Sequence, residues 1–186
     1  MRADRAGPLA GAGTPPPEAD LHATVLIPQQ TDADYHEMEA VLLAFIDDVR
    51  SELTAQEPLP RLRQLVSAHV RWRLERPEIA QALDIALGPR TRVNDLPEEH
   101  RRRVRAIKRV YMDELRCVLK AGARAGTFDF PDLRVTTFAI LSLCGSAHTW
   151  YDPDGDLTPE QVAAMYADLA AGMVRAPQRV DELPAP

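Results

Sequence analysis

From Val135 to Tyr151 the chain carries no Asp, Glu, Lys or Arg, although such residues make up 27% of its 186 positions. Small residues (Ala139, Ser142, Gly145, Ser146, Ala147) alternate there with large apolar ones. A helix that is apolar nearly all round must be covered on more than one side. Two arrangements meet that demand: a central core helix of a monomer, or a helix shared between subunits. In a chain of this size a penultimate helix is hard to surround from within, which favours the second. A second copy of the chain is therefore the expected partner.

The rest of the pattern is helical. Met38, Val41, Leu42, Phe45, Ile46, Val49 and Leu53 repeat at the spacing of an amphipathic helix that starts at Asp32 or Asp34. Pro58 and Pro60 separate it from a second helix through Leu62, Leu65, Val66, His69, Val70 and Leu74. A short third helix follows Pro77 and closes at Gly88-Pro89. Pro97, Glu98 and Glu99 suit the first turn of a long helix that Gly126 ends. Gly122 and Gly126 read as a flexible helix end. Asp132 opens the uncharged helix, expected to run to Trp150. Thr158-Pro159-Glu160-Gln161 reads as a capping box for the last helix, which carries Val162, Met165, Tyr166, Leu169 and Met173. No strand pattern and no repeat occurs. The expected class is all-α, a bundle of about six helices.

Residues 1–34 differ: Pro8, Pro15, Pro16, Pro17 and Pro28 break any regular element. They are expected to form an irregular leader, followed by a helical domain over 35–176 and a flexible tail over 177–186. The start is a poor signal peptide. No stretch reaches the roughly 20 apolar residues that span a bilayer. No membrane partner is expected, and the expected location is cytoplasmic.

Catalytic and metal signatures are missing from the sequence. The five histidines are scattered, and no Glu-x-x-His pair, HExxH, P-loop, GxGxxG or GxSxG is present. No catalytic residue, no metal and no cofactor is expected. The net charge of -6 argues against a chain coated in positive charge for nucleic acid. Cys117 and Cys144 are too far apart for a metal pair and read as buried, reduced thiols.

Five residues are candidates for a ligand cavity. His69 and Arg73, four apart, share one face of the second helix, where they read either as packed core groups or as polar anchors in an apolar pocket. Tyr111 in mid-helix, and Cys144 and His148 four apart on the uncharged helix, are the others. Arg90, Arg92, Arg101, Arg102, Arg103, Arg105, Lys108 and Arg109 form the one basic run. It reads as a solvated helix face or, more sharply, as a phosphate-binding rim.

Three stretches carry a resemblance: HVRWRLERPEIAQAL (69–83), VLKAGARAGTFDFPDLRVTTFAIL (118–141) and HTWYDPDGDLTPEQVAAMYADLAAGM (148–173). Together, in order and spacing, they resemble the C-terminal ligand-binding and dimerisation domain of TetR-type transcriptional regulators. They are most similar to the branch that responds to acyl-CoA thioesters or sterol-derived ligands. The resemblance implies a homodimer whose last two helices pair with their mates in a four-helix bundle. Phe138, Leu141, Ala147, Trp150, Val162, Met165, Tyr166 and Leu169 would then lie at the interface, and a small hydrophobic or amphipathic ligand would sit among the other helices. It also implies a helix-turn-helix head ahead of the first helix, for which the proline-rich residues 1–34 offer no counterpart. The expectation is a regulator domain whose DNA-binding head is absent or truncated, so that this chain alone does not bind DNA. The alternatives are a complete repressor whose gene start is misassigned, and a small all-α enzyme acting on an acyl thioester.

Overall fold

The computed structural model describes residues 32–81 and 97–175, with side chains from Tyr35. Five long helices stand there: α1 (Asp32–Ser51), α2 (Pro58–Glu75), α3 (Glu98–Arg124), α4 (Leu133–Ser146) and α5 (Pro159–Val174). Residues 77–81 are also helical. No strand occurs among the described residues. The leader up to residue 31, most of the third helix with Arg90 and Arg92, and the tail lie outside the described residues.

α2 is the central element. Leu62, Leu65, Val66 and Val70 are fully buried, and α2 touches α1, α3, α4 and α5, packing most extensively on α5. Its first turn contains Pro58 and Pro60, whose missing N–H groups fall where no intrahelical acceptor exists. The α1–α2 loop is held by Arg61. Its Nη1 donates to the carbonyls of Leu53 (3.3 Å) and Ala55 (3.1 Å). Its Nη2 lies 3.2 Å from Glu114 on α3.

The expected caps are present. Asp132 Oδ1 accepts from Val135 N at 2.7 Å. Thr158 N donates to Gln161 Oε1 at 2.9 Å and Gln161 N donates to Thr158 Oγ1 at 3.3 Å, completing the capping box. The two glycines ending α3 form a defined stop rather than a flexible end. Gly126 has φ +69°. Thr127 N donates to the Gly122 carbonyl at 2.9 Å and Gly126 N to that of Ala123 at 3.2 Å, the pair of bonds that closes a helix in a left-handed residue. The Phe128 ring fills the space where Gly122 lacks a side chain, so that no Cβ could stand there without displacing it.

Several expectations need correction. The uncharged helix ends at Ser146, and Ala147–Thr149 is a tighter 3-10 turn. The hydroxyls of Ser146 and Thr149 bond back to the carbonyls of Leu143 (2.9 Å) and Ser146 (2.7 Å), competing with the α-helical ladder. Pro97 stands at the cap of α3, outside its first turn. Cys144 is buried, but Cys117 is exposed.

The expected interface set divides. Ala147 and Val162 are buried within the protomer's own core, and Tyr166 is 8% exposed. They cannot form an outer face, because α5 turns Val162, Ala163, Tyr166, Ala167, Ala170 and Val174 inward. Phe138, Trp150, Met165 and Leu169 are exposed, while Leu141 is half-buried. Val135 and Met173 join the exposed set.

Candidate functional site

The cleft that α1, α2, α3 and α4 enclose has a volume of about 570 Å³, within the usual range of small-molecule sites. It exists because each helix contributes a stripe that its own core does not use up. α1 gives Leu42, Phe45 and Ile46, α2 gives Trp72, α3 gives Ile107 and Met112, and α4 gives Phe138 and Leu141. Ser142 and Gly145 on α4 also line it. Their short side chains leave open the space that larger ones would occupy.

Three of the five candidates come together on its wall: His69, Arg73 and Tyr111. His69 Nδ1 lies 2.8 Å from the Tyr111 hydroxyl. Phe45 meets both rings edge-on, at 4.9 Å for His69 and 5.0 Å for Tyr111. Burial, with Arg73 adding its charge, pushes His69 down to about 3, so its imidazole is neutral at physiological pH. Burial likewise raises the Tyr111 phenol well above its usual value, helped by Cys144. Two neutral groups sharing one hydrogen bond retain one further donor in either tautomer: imidazole Nε2–H or phenol O–H.

The other two candidates stand behind this wall. Cys144 is wholly buried and is not part of the lining. Burial pushes its thiol up to about 12, so it stays protonated and a poor nucleophile at neutral pH. His148 supports Arg73: Arg73 Nη2 donates to His148 Nδ1 at 3.2 Å. A guanidinium only donates, so His148 accepts. Arg73 is thus a cation of 8% exposure, aimed by a histidine from the 3-10 turn.

Sequence reasoning missed Leu42, Phe45, Ile46, Trp72, Ile107, Lys108 and Met112 as lining residues, because an apolar stripe looks the same whether it packs solidly or borders a cavity. Lys108 is the exception, a cation of the basic run that reaches the cleft wall beside Ile107 and Met112. Phe138 and Leu141, expected at the subunit interface, line the cleft. Among the described residues no group of three or more His, Cys, Asp or Glu could hold a metal ion. None of the described helices is long and apolar enough to cross a membrane.

An all-helical domain with an apolar cleft and a few converging buried polar groups has the form of a small-molecule receptor. Residues 55–174 match the family described as tetracyclin repressor-like, C-terminal domain, and the chain belongs to that family. Solved structures agree. A TetR family transcriptional regulator, PfmR from Thermus thermophilus, is 24% identical with a TM-score of 0.63, over 75% of this chain and 74% of that one. A bacterial regulatory protein in the tetR family from Rhodococcus is 25% identical with a TM-score of 0.63, over 78% and 76%. AibR, in complex with isovaleryl coenzyme A and operator DNA, is 21% identical with a TM-score of 0.58, over 73% and 74%. No curated protein sequence is a significant match. The family and fold are those of transcriptional regulators rather than of an acyl-thioester enzyme.

Proposed function

We propose that this chain is the sensing and dimerising part of a cytoplasmic transcriptional regulator, and that it binds a small, mostly apolar ligand in the cleft between α1 and α4. The observation that carries this reading is the company of the neutral His69–Tyr111 pair and Arg73 in an otherwise apolar cavity. Apolar walls supply affinity, while the buried donors fix one polar group of the ligand. Cys144 and His148 act from behind the wall, His148 by orienting Arg73. AibR, whose fold this chain shares, holds an acyl-CoA ligand and operator DNA, which supports the class of function.

The partner is a second copy. Val135 and Phe138 on α4, Trp150, and Met165, Leu169 and Met173 on α5 are exposed apolar residues. The three on α5 are four residues apart and share one face. Such a face loses free energy by staying wet and is suited to meet its own copy across a two-fold axis. Phe138 belongs both to this exposed set and to the cleft. A ligand that moves α4 therefore changes the subunit pose, provided it binds one pose better than the other.

The two tryptophans separate these claims. Trp72 lines the cleft and Trp150 lies in the exposed set. In Trp150→Phe, emission from Trp72 shifts on titration with isovaleryl-CoA or a medium-chain acid. In Trp72→Phe, emission from Trp150 moves to shorter wavelength as protein concentration rises. Unchanged Trp72 emission with every apolar compound tested removes the ligand reading. Concentration-independent Trp150 emission, with a monomer mass by light scattering, removes the dimer.

A further inference from the structure

Aromatic residues are scarce in this chain: four Phe, two Trp and four Tyr. Four of these ten line the cleft, and each enclosing helix supplies one: Phe45 from α1, Trp72 from α2, Tyr111 from α3 and Phe138 from α4. The His69 imidazole is a fifth ring in the same lining. Phe45 is the hub. Its ring meets those of His69 (4.9 Å, 71°), Trp72 (4.9 Å, 66°) and Tyr111 (5.0 Å, 63°) edge-on. His69 and Tyr111 meet in the same way at 5.6 Å. Phe138 borders the same cavity but touches none of these rings among the described residues. The cluster is not sealed in solid packing. Leu62 and Leu65 of α2 are 0% exposed, whereas Phe45 keeps 8% of its surface, Tyr111 7%, and His69 and Trp72 6% each. All four of these rings border the cavity.

We propose that the cleft selects a planar, fused aromatic ligand bearing a phenol or aryl-ketone oxygen, in preference to a saturated ring or an open acyl chain of similar size. The inference rests on the reading of the cleft as a ligand site and names the ligand's class. An aromatic ring has a negative face and a positive edge, so a cluster packed edge-on can take a further ring in the same manner. A ligand ring lying between the cluster and Phe138 gains such contacts on both sides. A saturated molecule of equal area gains burial alone. A fused ring system also loses little internal freedom on binding, and an open chain loses more. The donor that the His69–Tyr111 pair retains suits the oxygen, which accepts from it whether it belongs to a hydroxyl or a carbonyl. The volume of about 570 Å³ holds the whole of such a molecule.

The test is calorimetric titration of the full chain with four small amphiphiles. β-Naphthol and methyl β-naphthyl ketone are aromatic. trans-β-Decalol has the carbon skeleton and hydroxyl of β-naphthol without its π-system, and n-decanol is the open chain. The titrations are repeated on Phe45→Leu and Phe138→Leu, with helical content as the check on folding. Phe138 is 46% exposed, so its variant is expected to fold even if the other does not. The aromatic class predicts that at least one naphthyl compound binds roughly tenfold or more tightly than both saturated ones. It also predicts that this advantage shrinks severalfold in each folded variant, while decalol affinity stays the same. Preference between the two naphthyl compounds identifies the oxygen as hydroxyl or carbonyl. Decalol or decanol binding as tightly as the naphthyl compounds overturns the aromatic class but leaves the cleft reading intact. An advantage that survives undiminished in Phe138→Leu also overturns it. If none of the four compounds binds, the class is overturned and the cleft reading falls with it.

Discussion

His69 on α2 and Tyr111 on α3, 42 residues apart in sequence, meet at 2.8 Å in the wall of the cleft. Phe45 of α1 lies edge-on to both rings. One hydrogen bond and one aromatic ring therefore tie together three of the four helices that enclose the cavity.

Removing the phenol oxygen tests that tie. In Tyr111→Phe the buried His69 Nδ1 keeps its position but loses its partner. An unsatisfied buried polar atom costs about 1–3 kcal/mol, so the midpoint of urea unfolding falls accordingly with an unchanged slope. An unchanged midpoint contradicts the tie.

His69 also makes stability depend on pH. Its folded value is depressed to about 3, against roughly 6.5 in the unfolded chain. Above pH 6.5 both states hold it neutral and its neutral, buried state is free of penalty. As pH falls below 6.5 the unfolded chain takes up a proton that the native state refuses, so stability drops. Between pH 7 and pH 5 the loss from this residue is about 2 kcal/mol. Urea unfolding of the protein and of His69→Gln at pH 7, 6 and 5 measures it. The variant should lose that portion of the pH dependence, and parallel curves for the two proteins contradict the assignment.

The helix stop at Gly122 and Gly126 gives two separable effects. Gly122→Ala drives a methyl group into the Phe128 ring, an overpacking cost of about 1–3 kcal/mol. Gly126→Ala meets no neighbouring atom within 4 Å but keeps φ +69°, so it costs only the left-handed strain, about 1 kcal/mol. Thermal unfolding should rank the first variant below the second.

Charge on the exposed α5 stripe tests the partner. Met165→Glu/Leu169→Glu replaces two exposed apolar side chains and leaves the inward face of Val162, Ala170 and Val174 intact. Light scattering at micromolar concentration should give a dimer for the parent and a monomer for the variant, with helical content unchanged. A variant of dimer mass contradicts this interface.

Much of this was legible in the sequence. Asp132, Thr158 and Gln161 announced their caps because capping chemistry is local. His69, Arg73 and Tyr111 stood out as polar groups on apolar stripes, and all three line the cleft. What escaped depends on which face of a helix turns where. Val162 and Met165 are equally apolar and three residues apart, yet one is buried in the core and the other faces outward. Cys144 and Gly145 are neighbours, yet only the glycine borders the cavity. A period fixes the existence of a stripe. The packing of five helices fixes which stripe meets a neighbour and which borders empty space.

The central claim is that the cleft is a binding site, and Gly145 gives the most direct measurement of it. It lines the cleft, and a Cβ built there meets no atom within 4 Å. Gly145→Leu therefore starts from an uncrowded Cβ, extends into the cavity that Gly145 lines, and replaces a poor helix former with a good one. The measurement is the thermal midpoint of both proteins with and without the tightest-binding amphiphile. A ligand at hundredfold excess over its Kd adds about 2.7 kcal/mol, or roughly 5 °C or more for a chain of this size. The account predicts that shift for the parent and almost none for Gly145→Leu, whose unliganded midpoint is equal or higher. An equal ligand-induced shift in both proteins contradicts it.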